Sequence, residues 1–101
     1  MESLTSIESP RDSLRRSKLE TSVDVLRVIA EGATKPTHIM YRANLSWTVM
    51  QYYLRSLISR GLVILNGGDG RKHYELTEKG TTLLHDYVTV RKQLDSEAMH
   101  P

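Results

Sequence analysis

The stretch SWTVMQYYLRSLISRG, Ser46 to Gly61, decides how the rest of the chain is read. Ser46 suits a helix N-cap, because its hydroxyl can accept a hydrogen bond from an unpaired amide of the first turn. Gly61 suits the position just past a helix end, where the backbone turns left-handed and a Cβ would clash. Between them Met50, Leu54 and Leu57 recur at i, i+4 and i+7, flanked by Tyr53 and Ile58. That spacing predicts one apolar stripe along a helix of about four turns. The opposite face carries Thr48, Gln51, Tyr52, Arg55 and Ser59, with no carboxylate among them. A merely solvated face mixes Glu with Lys; this one is equipped to touch an acidic, hydrogen-bonding surface and reads as a recognition helix.

Upstream, Thr34-Lys35-Pro36 interrupts the chain, and Pro36 fits a first helical turn, where its missing amide costs nothing. A short helix is expected from about Thr37 to Ala43, with Ile39, Met40 and Ala43 inward, Asn44 as its stop and Leu45 locking the turn. Helix, tight turn and longer helix in succession make a helix-turn-helix. Downstream, Leu62 to Leu65 is a short apolar run, Asn66 to Gly70 a glycine-rich tip, and Arg71 to Leu76 alternates like an edge strand. A hairpin directly behind a helix-turn-helix is a wing.

Two further helices frame this unit. The first runs from near Leu14 or Ser17 to Glu31, closed by Gly32, with Leu19, Val23, Leu26 and Ala30 as its core stripe. Val25, Val28 and Ile29 widen its apolar surface and are expected to meet a partner subunit. The last helix is capped by Thr77, has Glu78 in its first turn, is weakened by Gly80 and ends near Ser96. Its stripe Leu83, Tyr87, Val90 and Leu94, adjoined by Leu84 and Val88, outruns what a small domain can cover. Tyr87, Val90 and Leu94 are therefore assigned to dimerisation. The fold class is mainly α with a small β-hairpin: a three-helix core, a wing and a longer C-terminal helix. Residues 1–13, poor in large apolar side chains, read as a flexible arm, residues 14–97 as the winged helix domain, and 77–97 as its dimerisation helix.

Charge sharpens the functional reading. The 101 residues carry a formal net charge of only +2. From Lys35 to Lys72, however, six basic residues stand against the single acid Asp69, while the remainder holds 8 basic and 11 acidic residues. A basic block between more acidic arms suits a polyanion. Arg11, Arg15, Arg16 and Lys18 add a second basic group, read either as solvated residues at a helix start or as an arm steering towards phosphate. Cysteine is absent, which excludes disulfides and thiolate metal sites. No apolar run approaches the roughly 20 residues of a membrane span, and MESLTSIESP lacks the features of a signal peptide, so an intracellular, cytoplasmic home is expected.

The run EGATKPTHIMYRANLSWTVMQYYLRSLISRGLV, then YELTEKGTTLL, resembles the small winged helix-turn-helix proteins of archaea and their viruses. The motifs are K-P-T-x-I-M-Y at Lys35 to Tyr41, N-L-S at Asn44 to Ser46, Y-L-x-x-L at Tyr53 to Leu57 and L-T-x-K-G at Leu76 to Gly80. The resemblance covers about residues 19 to 90 and is specific for fold. It implies DNA binding, as a homodimer formed through the C-terminal helix.

The candidate DNA-binding residues follow from the helix and wing. Arg55 can pair with guanine or grip phosphate, Gln51 can pair with adenine, and Thr48 and Tyr52 can meet a thymine methyl or phosphate oxygens. Ser46 stands at the entry of the same helix. Trp47, bordering the core stripe, is expected to pack beneath helix 2 rather than read bases. Arg71 and Lys72 on the wing suit phosphate or minor groove, and Lys35, Thr37 and His38 lie where helix 2 presents its amides. Arg42 is peripheral. His38, His73, His85 and His100 show no metal-ligand spacing, and no nucleophile, cofactor or small-molecule motif appears, so an enzyme is not expected. The alternative function is a winged-helix module for protein–protein contact within a transcription assembly.

Overall fold

The computed structural model describes residues 17–67 and 71–98. The basic positions Arg11, Arg15 and Arg16 and the arm over 1–13 lie outside the described residues. In chain order the elements are α1 (Lys18–Ala30), α2 (Pro36–Ala43), α3 (Trp47–Ser59), β1 (Val63–Asn66), β2 (His73–Leu76) and α4 (Glu78–Ala98). This is the winged helix arrangement expected from the sequence.

Helix ends are set by the residues that bracket them. Ser17 forms a capping box with Glu20, each side chain meeting the other's backbone amide. Ser46 accepts a hydrogen bond from the Val49 amide at 3.2 Å and so opens α3. Asn44, at φ 57°, stops α2 in the left-handed region. Gly61, at φ 74°, ends α3 with its own amide on the Ile58 carbonyl and the Leu62 amide on the Leu57 carbonyl.

α1 is the central element, in contact with α2, α3, α4 and β2. Its buried residues are Thr21, Val23, Val25, Leu26, Val28 and Ile29. Two expectations are corrected here. Val25, Val28 and Ile29 are not spare surface for a partner: each is at most 4% exposed, inside the same core as Ile39, Met50, Leu54 and Tyr74. Leu19 and Ala30, assigned to the core stripe, are exposed instead. A helix covered by four neighbours uses most of its circumference, so one stripe underestimates what it buries.

β1 and β2 pair antiparallel, with Val63 opposite Leu76 and Asn66 opposite His73. The Tyr74 amide donates to the Thr34 carbonyl at 2.8 Å, which pins the wing to the α1–α2 connection. Burial of the Tyr74 side chain pushes its phenol above the ordinary value near 10.

The junction between wing and α4 rests on Thr77, Lys79 and Gly80. Thr77 accepts from the Gly80 amide at 3.0 Å and donates to the Gly61 carbonyl at 2.6 Å. Lys79 Nζ donates to the Arg60 carbonyl, covering an open end of α3. Gly80 is buried, and a Cβ there would overlap the Leu62 carbonyl. The glycine that looks like a weak helix start is thus what lets α4 approach the end of α3.

Candidate nucleic-acid interface

α3 buries Met50, Leu54 and Leu57, as their spacing requires, and turns Thr48, Tyr52, Arg55 and Ser59 outward. Gln51 is half-buried beside them. The helix carries no acidic side chain. Ser46 is exposed, with its hydroxyl occupied by the Val49 amide, so its first role is to fix where the helix begins.

The outward face has two edges. On one, the Tyr52 ring meets Tyr53 edge-on, with centroids 5.1 Å apart, and lies 6.0 Å from the Lys18 ammonium. Tyr52 and Ser56 there border an apolar groove shared with Leu19, Val23 and Leu83. At about 100° per residue, the other edge carries Trp47 and Gln51 one turn apart. Trp47 is not the covered packing residue expected: it is 50% exposed. Tyr41, in the last turn of α2, is also exposed. The sequence pattern did not mark Tyr41 and pointed Trp47 inward, since helical angle alone does not tell which side chains a neighbouring element covers.

The cations of the central basic block divide into two groups. Arg42 meets Glu31 at 3.3 Å, and Glu31 also holds Arg27, which in turn meets Asp24 at 3.2 Å. These pairs join α1 to α2, and they raise the Arg27 guanidinium above its usual range, chiefly through the Asp24 hydrogen bond. Arg60 donates from Nε to the Ser56 hydroxyl. Lys35, Arg55, Arg71 and Lys72 are different. All four are exposed, and no carboxylate among the described residues lies in ion-pair distance of them. Thr37 and His38 are exposed beside Lys35 in the first turn of α2. Arg71 and Lys72 enter β2 directly after the tip, where Gly67 takes φ 113° and passes so close to the Arg71 carbonyl that a Cβ would overlap it.

Residues 15–95 match the family model described as winged helix-turn-helix. The chain belongs to this family. An uncharacterized protein of Methanocaldococcus jannaschii is 39% identical over 69 residues, which span 68% of this chain and 67% of the relative. The crystal structure of Sso10a-2, a DNA-binding protein from Sulfolobus solfataricus, is similar at 31% identity and a TM-score of 0.64, covering 83% of this chain and 90% of that one. ZitR of Lactococcus lactis, solved in complex with DNA, shares the fold at 20% identity and a TM-score of 0.65. The match covers 91% of this chain and 62% of ZitR.

In this winged helix-turn-helix protein α4 has 21 residues, about 31 Å at 1.5 Å per residue. Only its first half meets the core, through buried Gly80 and partly buried Leu84. Leu83, Val88, Val90 and Leu94 are all exposed, with Tyr87 half-buried on the side facing Glu20 of α1. The Tyr87 hydroxyl accepts from Arg91 at 3.2 Å. No helix among the described residues is long and apolar enough to cross a membrane.

Proposed function

We propose that the chain is a sequence-specific, double-stranded DNA-binding transcription regulator that works as a homodimer. The observation that carries this reading is the division of its cations: Lys35, Arg55, Arg71 and Lys72 meet no carboxylate among the described residues of the helix-turn-helix and wing, whereas Arg27 and Arg42 are neutralised behind them. Four exposed positive charges around a carboxylate-free helix match a phosphate-lined groove. α3 enters the major groove, where Arg55 pairs with guanine and Gln51 with adenine. Arg71 and Lys72 lie on the backbone or the minor groove, and Lys35, Thr37 and His38 on a neighbouring phosphate. The DNA-binding character of Sso10a-2, at 31% identity, supports the same reading.

Two copies pair through α4, where Val90 and Leu94 stand exposed on its outer half and Leu83 on its inner half, together with Leu19 of α1. Each large apolar side chain left in water forfeits roughly 1.5–3 kcal/mol. A two-fold dimer sets two copies of α3 about one DNA turn apart, roughly 34–36 Å, so the operator is a near-palindrome. A protein-binding module of a transcription assembly is the rival function for the same fold, and its contact face would more often carry mixed charge.

Selection from a randomised duplex library tests the proposal. The expected result is enrichment of one near-palindromic motif with half-sites one helical turn apart. Recovery of sequences with no common motif would overturn specific recognition.

A further inference from the structure

Trp47 is the one tryptophan of the chain, and it is left 50% exposed in the first turn of a helix that has polar residues available for that purpose. An indole is among the largest apolar surfaces a side chain can offer, so leaving half of it in water forfeits burial. Its surroundings narrow the range of partners. Thr48 lies beside it and Gln51 one turn along the same edge, with Arg55 free beyond them. Ser46, Thr48, Gln51 and Arg55 are polar or cationic and Ile58, farther along, is the exposed apolar residue of this edge, so a largely hydrophobic protein surface is a poor match for this neighbourhood. Duplex DNA offers one apolar group in its major groove, the thymine 5-methyl, next to the amide-binding edge of adenine. The first turn of a recognition helix is also the part that comes nearest the base edges.

We infer that Trp47 reads thymine: its indole packs on the 5-methyl group while Gln51, on the same edge of α3, pairs with an adenine of the same or the next base pair. This inference rests on the DNA-binding reading above and gives it a base preference, an A·T step at the N-terminal end of each half-site. The Tyr52 edge, engaged with Lys18 and Tyr53, takes no part in it.

Because Trp47 is the single tryptophan, its fluorescence reports its surroundings without labelling. The intact protein is titrated with the duplex recovered by selection, following indole emission and, separately, the anisotropy of end-labelled DNA. Each thymine is then replaced in turn by deoxyuridine, which removes only the methyl group. Binding seen by anisotropy is expected to coincide with a change in indole emission. One deoxyuridine position per half-site should weaken binding about fourfold, the worth of one buried methyl, and that penalty should vanish in Trp47→Ala. Binding without any change in emission, or the same deoxyuridine penalties in Trp47→Ala, overturns the inference and leaves DNA binding standing. Absence of binding by anisotropy on every duplex overturns the DNA reading, and this inference with it.

Discussion

The Thr77 hydroxyl donates a 2.6 Å hydrogen bond to the carbonyl of Gly61, sixteen residues earlier in the chain. That bond ties the residue that ends α3 to the residue that caps α4. The helix proposed to read DNA and the helix proposed to pair subunits therefore share one joint, reinforced by Lys79 on the Arg60 carbonyl and by the close passage of Gly80 past Leu62.

Thr77→Ala removes the cap and the Gly61 bond together and should destabilise the fold by about 1–2 kcal/mol. Gly80→Ala forces a methyl group against the Leu62 carbonyl and should cost about 1–3 kcal/mol. Urea unfolding with an unchanged slope checks both. A neutral Gly80→Ala would show that α4 can shift without loss.

Tyr74 gives the fold an alkaline limit. Burial holds its phenol above the usual value near 10 in the folded state, so between that value and the folded one only the unfolded chain releases the proton. Stability from this group is complete below about pH 10 and is lost as pH rises through the folded value. Tyr74→Phe should flatten the fall of melting temperature above pH 10 relative to the parent protein. Equal slopes would contradict the assignment.

What the sequence revealed, and what it hid, follows from how many neighbours each helix has. α3 packs through one stripe between a serine cap and a glycine stop, so Met50, Leu54 and Leu57 were legible from spacing alone. α1 is wrapped by four elements, and three residues that looked surplus, Val25, Val28 and Ile29, are buried in its core. The wing was legible because Gly67 and the apolar run before it have few other uses. Trp47 was not, because it borders the core stripe and helical angle alone does not tell whether a neighbour covers it. The cations paired and unpaired among the described residues could not be told apart either, since the Arg42 and Glu31 pair joins α2 to the C-cap of α1, 11 residues away.

Arg55→Ala should cost about 1–3 kcal/mol of binding and relax preference at one base position, if Arg55 is bidentate to guanine. Repeating the library selection with the variant checks this. The same motif at the same affinity would show that α3 is not the reading element.

The outer face of α4 should control assembly. Val90→Asp combined with Leu94→Asp places two charges on the exposed stripe at no cost to the core. The parent chain is expected to sediment as a dimer at micromolar concentration and the variant as a folded monomer with weaker operator binding. A parent protein that sediments as an 11.5 kDa monomer would remove the dimer from the account.

The most direct measurement is binding of the intact chain to a random-sequence duplex as salt is raised, alongside Arg71→Ala with Lys72→Ala. For phosphate contact by the free cations, log affinity should fall linearly with log salt, with a slope of roughly −3 per protomer. The double variant should bind every sequence more weakly and lower the magnitude of that slope by about two per protomer. No binding at low salt, or binding that salt does not weaken, would contradict the claim that this surface meets DNA.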